Sequence, residues 1–207
     1  MKKALLFGDY KAGTWHPLRD VDEAIIRVLD DFEVTVCEEY PALTLEALQA
    51  YDVVINYIDA WGKRGNTDFA GALIGYVAGG GALLSLHGGI IAHSLSEIEQ
   101  MIGGSFTNHP PREVIEYVHS APHPIMRGVD PFSLDEEPYM FTMDNVAKLT
   151  MLMEYVYKGE KYPAAWLRGY GRGKSCYLSM GHTAESFENE GCAKLLRRCA
   201  LWCVDEL

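Results

Sequence analysis

Histidine carries most of the chemistry available to this 207-residue chain, which has seven of them. Four stand where predicted strands or turns end, each next to Gly or Pro: His16 in Thr14-Trp15-His16-Pro17, His87 in Leu86-His87-Gly88-Gly89, His109 in Asn108-His109-Pro110, and His182 in Met180-Gly181-His182. Such neighbours set a local turn instead of continuing a helix or strand. Imidazoles grouped together can act as general acid and base near neutral pH. They can also ligate a divalent metal such as zinc, with a carboxylate completing the set. The candidate metal ligands are His87, His109 and His182. The candidate carboxylate is Glu137, in Asp135-Glu136-Glu137-Pro138-Tyr139, where Pro138 stiffens an otherwise ordinary acidic run. The plainer reading of each histidine is a turn residue that satisfies backbone groups.

His87 has the most telling position. The apolar run Ala82-Leu83-Leu84-Ser85-Leu86 ends on it, and two glycines follow at once. In open α/β sheets ligands bind outside the carboxyl ends of strands, and a sharp strand-to-helix elbow there presents one side chain to substrate. An imidazole in place of Ser or Cys points away from covalent acyl transfer. Asp9 and Asp59 also close predicted strands, with Tyr10, Trp15 and Trp61 near them in sequence. Carboxylates that grip hydroxyls beside rings that stack on C–H faces would suit a sugar; the same residues also serve as core packing. His93 and His119 carry no assigned role. His123, between Pro122 and Pro124, reads as a rigid corner.

The elements that must position these groups alternate. Strands are predicted over 3–7, 32–36, 53–57 and 82–86, and helices over 18–29, 69–77 and 95–101. That rhythm describes βαβ units: an α/β fold with a mostly parallel sheet and helices on both faces. Later, 114–118 and 149–155 read as strands with Pro-rich loops between them. Segments 164–167 and 175–178 then form a hairpin about Arg168-Gly169-Tyr170-Gly171-Arg172-Gly173, and 190–204 is an amphipathic closing helix. No repeat or flexible linker interrupts the chain, so 1–207 is expected to be a single domain.

Composition narrows the class. The chain is 48% hydrophobic and 23% charged, enough for one sizeable core. Its net charge of −11, with no basic stripe, argues against nucleic acid. The longest apolar runs are too short for a bilayer span or a signal-peptide core, so a cytoplasmic protein without a membrane partner is expected. Five cysteines with no C-x-x-C pair suit a reducing compartment, and Cys192, Cys199 and Cys203 read as small hydrophobes on the last helix. There is no dinucleotide or phosphate-loop motif. Twelve tyrosines and four tryptophans suit a sugar site or the interface of a homo-oligomer equally.

The ordered set of motifs resembles the ThuA-like, or trehalose-utilisation, family within the class I glutamine amidotransferase-like fold. The matching segments are Gly79-Gly80-Gly81 through Leu86-His87-Gly88-Gly89, Ile102-Gly103-Gly104 through Asn108-His109-Pro110, and His123-Pro124-Ile125. Glu136-Glu137-Pro138-Tyr139-Met140-Phe141, Pro163-Ala164-Ala165-Trp166, Tyr170-Gly171-Arg172-Gly173 and Leu178-Ser179-Met180-Gly181-His182 follow in family order. The resemblance implies a flavodoxin-like sheet with its site at the carboxyl edge. Glutaminase relatives carry Cys at the elbow and a His after a late strand; here His87 takes the elbow, so glutamine hydrolysis through a thioester is not expected. Where family members often continue Gly-His with Asp, this chain has Thr183-Ala184-Glu185.

The resemblance also implies a small carbohydrate ligand, a disaccharide or 3-keto-glycoside. A 3-keto group acidifies the C2 proton, so base-catalysed elimination of the anomeric group, or isomerisation, becomes accessible. His87, His182 and Glu137 are then the catalytic candidates, and His16, Trp15, His109, Tyr139 and Asp59 the substrate-binding ones. The competing readings are a non-catalytic sugar-binding or regulatory domain and a structural module.

Overall fold

The computed structural model describes residues 1–10, 15–38, 40–59 and 67–207. Trp61 therefore lies outside the described residues, as does the side chain of His93. In chain order the elements begin β1 (Lys2–Gly8), α1 (Asp22–Val28), β2 (Phe32–Cys37), α2 (Leu45–Leu48), β3 (Val53–Tyr57), α3 (Thr67–Ala78) and β4 (Ala82–Leu86). A 3-10 segment, His87–Ser94, leads into α4 (Ser96–Ile102), β5 (Gly104–Asn108) and β6 (Glu113–His119). Next are β7 (Phe132–Glu136), β8 (Met140–Met143), β9 (Leu149–Tyr157), β10 (Glu160–Tyr170), β11 (Gly173–Leu178), α5 (Ala184–Glu188) and α6 (Glu190–Cys203).

Nine strands form one sheet in the order β2-β1-β3-β4-β11-β10-β9-β6-β7. The first five are mutually parallel, and each later pair is antiparallel. Following those pairings, β9 and β7 point the same way as the parallel set, and only β10 and β6 run against it. The fold is α/β and flavodoxin-like. Residues of β3 and β4 are buried throughout, as strands covered on both faces must be.

Side chains alternate between two cores. Leu84 and Leu86 join a cluster with Ile25, Leu195, Leu196 and Cys199 beneath α1 and α6. Leu83 joins the other, with Leu73, Val77, Met101 and Ile102 from α3 and α4. Cys192, Cys199 and Cys203 are buried beneath α6 as packing residues. Among the described residues, no helix is long and apolar enough to cross a membrane.

Two expectations need correction. The predicted helix over 18–29 is a 3-10 turn, Leu18–Asp20, followed by a separate α1, because Val21 breaks the helical backbone with φ −127°. The Pro-rich stretch between β6 and β9 is not only loop: it holds β7 and β8. β7 alternates Phe132, Leu134 and Glu136 inward with Ser133 and Asp135 outward. β8 pairs with β5 in a two-stranded sheet, and its Phe141 and Met143 pack on the second core.

Candidate metal centre at the carboxyl edge

The parallel strands deliver their ends to one rim. His87 follows β4 directly and holds a left-handed backbone, φ +43°, a strained conformation for a residue with a side chain. The second glycine after it is a steric necessity. A Cβ on Gly89 would stand 2.6 Å from the Asn56 carbonyl oxygen, so only glycine lets the elbow pass β3. Asn56 secures that approach: its amide nitrogen donates to the Gly89 carbonyl at 2.8 Å, and its side-chain oxygen accepts from the Ile58 N–H.

Buried tyrosines tie down the turns that carry the site. Tyr177 on β11 donates to the His87 carbonyl at 3.0 Å, Tyr57 on β3 to the Gly181 carbonyl at 2.8 Å, and Tyr155 on β9 to the Tyr139 carbonyl at 2.8 Å. Glu136, fully buried at the end of β7, accepts from the Gly181 and His182 N–H groups and from the Ser186 hydroxyl. That carboxylate clamps the turn after β11 and brings the end of β7 to it. Its sequence neighbour Glu137 consequently enters the same rim.

Four side chains converge there, from segments as distant in sequence as residues 16 and 182. His16 Nε2 lies 3.2 Å from His87 Nε2 and 3.1 Å from His182 Nδ1, and the last two atoms are 3.4 Å apart. Glu137 Oε2 stands 3.6 Å from His16 Nε2, 3.4 Å from His87 Nε2 and 3.4 Å from His182 Nδ1. Four atoms with six such edges form a nearly regular tetrahedron. Zinc bound to N and O ligands at roughly 2.0–2.1 Å requires edges of about 3.3–3.4 Å. Four ligands of an octahedral ion must instead include one opposed pair about 4 Å apart, and none of the six separations is that long.

The surrounding groups prepare these atoms as ligands. His87 Nδ1 is 2.7 Å from the Ser179 carbonyl and must donate to it, which leaves the Nε2 lone pair facing the cluster. Burial pushes the His87 imidazole below its ordinary pKa, favouring the neutral, ligating form. Asp59 Oδ1 stands 3.8 Å from His16 Nδ1, and Asp59 Oδ2 accepts from the Trp15 and His16 N–H groups. Burial disfavours a charged His16, yet Asp59 and Glu137 outweigh it and raise the pKa. Burial also pushes the Glu137 carboxyl up, but the three imidazoles more than reverse this and hold it far below the usual carboxylate range. Glu137 Oε2 is nevertheless buried without a hydrogen bond. A buried carboxylate oxygen facing three ring nitrogens, itself unsatisfied, is an arrangement that could hold a cation.

A cavity of about 290 Å³ opens beside the cluster, lined by Trp15, His16, Ile91, Phe106, His109, Glu137 and Tyr139. The Trp15 ring is 64% exposed at its mouth, whereas Tyr139 is buried and stacks on His87 with centroids 4.3 Å apart. His109 stands apart from the tetrahedron. Its Nδ1 donates to the Pro110 carbonyl at 2.8 Å, and Nε2 lies 3.9 Å from the other oxygen of Glu137. So of the candidate ligands His87, His109 and His182, the geometry gathers the first and last, and sets His16 and Glu137 where His109 was expected.

Asp9 serves the scaffold, accepting from the Asp59 N–H and the Tyr40 hydroxyl. His119 Nε2 donates to the Val129 carbonyl, and His123 Nδ1 caps a 3-10 turn by accepting from the Ile125 N–H. Glu136 and the three tyrosines had no distinguishing mark in the sequence, apart from the inward alternation of Phe132, Leu134 and Glu136.

The family model described as "Trehalose utilisation" matches residues 4–203. The chain belongs to the ThuA family. Among solved structures, a ThuA-like protein from Bacteroides uniformis superposes with a TM-score of 0.79 at 18% identity, covering 98% of this chain and 91% of that one. A ThuA-like protein from Parabacteroides merdae gives 0.80 at 15% identity, over 98% and 90% of the two chains. A cytoplasmic protein of Salmonella typhimurium LT2 gives 0.66 at 17% identity, over 99% and 98%. At these identities the three structures speak for the ThuA fold alone. No curated protein matches the chain.

Proposed function

We propose that this ThuA-family chain is a zinc-dependent enzyme acting on a small carbohydrate, with 3-keto-glycosides as its substrate class. The observation that carries the reading is the tetrahedron of His16, His87, His182 and Glu137, whose six edges run from 3.1 to 3.6 Å. The adjoining cavity supports a sugar ligand: Trp15 and Phe106 offer ring faces for C–H stacking beside polar His109 and Glu137. The family's description as trehalose utilisation points the same way. A cytoplasmic setting fits the free, buried thiols of Cys176, Cys192, Cys199 and Cys203.

In this reading His16, His87, His182 and Glu137 would hold the ion, which would supply positive charge to stabilise a developing negative oxygen. The three imidazoles, engaged as ligands, would then be withdrawn from proton transfer. His109 is the imidazole left facing the cavity, with its proton fixed on Nδ1 by Pro110 and its Nε2 lone pair available. His109 takes the C2 proton; the electron pair of that C–H bond forms the enolate and then expels the anomeric oxygen, which leaves with the proton that His109 gives back. Glutamine hydrolysis has no nucleophile at the elbow, since His87 occupies it.

The test is exchange of the C2 proton of 3-keto-trehalose in deuterated buffer, followed by NMR. Zinc-loaded protein should exchange it and then release glucose, while chelator-treated protein and His87→Ala should do neither. Unchanged substrate with zinc, with manganese and without metal would remove the enzymatic reading.

A further inference from the structure

Four protein ligands close a tetrahedral zinc site, whereas a catalytic zinc keeps a position for substrate. The structure contains the means to reconcile the two. We propose that Glu137 is an exchangeable ligand: an oxygen donor entering the cavity takes the position of Oε2 on the ion, and the carboxylate swings aside toward His109. This inference rests on the metal reading above and goes further, by naming which of the four bonds breaks when a ligand enters.

The three imidazoles are anchored. His87 is fully buried, its Nδ1 held by the Ser179 carbonyl and its ring covered by Tyr139. The backbone of His16 is fixed by Asp59, and that of His182 by Glu136. Glu137 is the one carboxylate of the four, with one oxygen toward the imidazoles and the other toward His109. It follows β7 in the short connection to β8, its Oε2 makes no hydrogen bond, and its side chain is a wall of the open cavity. Its second oxygen already lies outside the tetrahedron, 3.9 Å from His109 Nε2. The cavity on the Glu137 side is bounded by Trp15, Ile91, Phe106 and Tyr139. That lining selects a donor carried on a ring with apolar faces, a hydroxyl or carbonyl oxygen of a cyclic polyol or keto-sugar.

Cobalt(II) replaces zinc in tetrahedral sites and reports coordination through its visible spectrum, so the probe is cobalt(II) with azide as the entering ligand. In the wild-type protein azide must displace Glu137; in Glu137→Ala and Glu137→Gln it need not. Both variants should keep one cobalt per chain on the three histidines and bind azide at least tenfold more tightly than wild type. Equal azide affinity in all three proteins, or loss of stoichiometric cobalt from both variants while wild type retains it, would overturn the exchange and leave the metal site standing. A wild-type protein that takes up no cobalt and no zinc would instead remove the metal reading itself, and this inference with it.

Discussion

At the residue scale, the account turns on neighbouring carboxylates with opposite duties. Glu136 faces inward and grips backbone N–H groups of the turn after β11; Glu137 faces the cavity and meets the imidazoles. Glu136→Gln keeps the shape but converts charged hydrogen bonds to neutral ones and sets an amide N–H₂ against N–H donors. It should cost about 2–3 kcal/mol in urea unfolding. It should also weaken zinc binding roughly 10–100-fold, as loss of a supporting group around a metal ligand does. A variant that unfolds early yet binds zinc normally would limit Glu136 to stability. The sequence marked Glu137 through its position beside Pro138, but gave Glu136 no separate weight. Which of two adjacent acids faces the core is decided by β7, and the strand itself was hidden by flanking prolines.

At the element scale, the elbow after β4 is where local sequence and remote geometry agree best. The run Ala82–Leu86 ending in His87-Gly88-Gly89 marked both the strand and the elbow that ends it, because buried parallel strands and glycine pairs are local signals. The pairing of β5 with β8 was not legible, since it depends on Phe141 and Met143 reaching a core assembled from α3 and α4. His16 was read as a substrate contact for a similar reason. Its place in the tetrahedron depends on Asp59 holding its backbone from 43 residues away. Gly89→Ala tests the elbow. The added methyl would meet the Asn56 carbonyl, so the turn must shift, costing about 1–3 kcal/mol. Zinc affinity should fall with it, because His87 Nε2 moves off the common centre. Calorimetric zinc titration beside thermal unfolding separates the two effects, and an unshifted affinity would argue that the elbow does not position His87.

At the scale of the whole molecule, the sheet's handed βαβ construction sends strand ends to one rim, and the antiparallel half adds Glu136 and Glu137 to it. A site shared among β4, β7, β11 and the loop before α1 couples metal binding to global stability. Zinc a thousandfold above its Kd should add about 4 kcal/mol. For a chain of this size that corresponds to a rise of roughly 8–16 °C in Tm, reversed by a chelator. Scanning calorimetry with and without zinc checks it; a Tm indifferent to zinc would mean the ion does not bridge these elements.

The central claim is that three histidines and a glutamate, remote in sequence, hold one ion. Metal content of the purified protein, equilibrated with zinc and dialysed, measures it most directly when paired with His87→Ala. The account predicts one zinc per chain in the wild type and a small fraction of that in the variant. Equal zinc in both, or none in either, would contradict it.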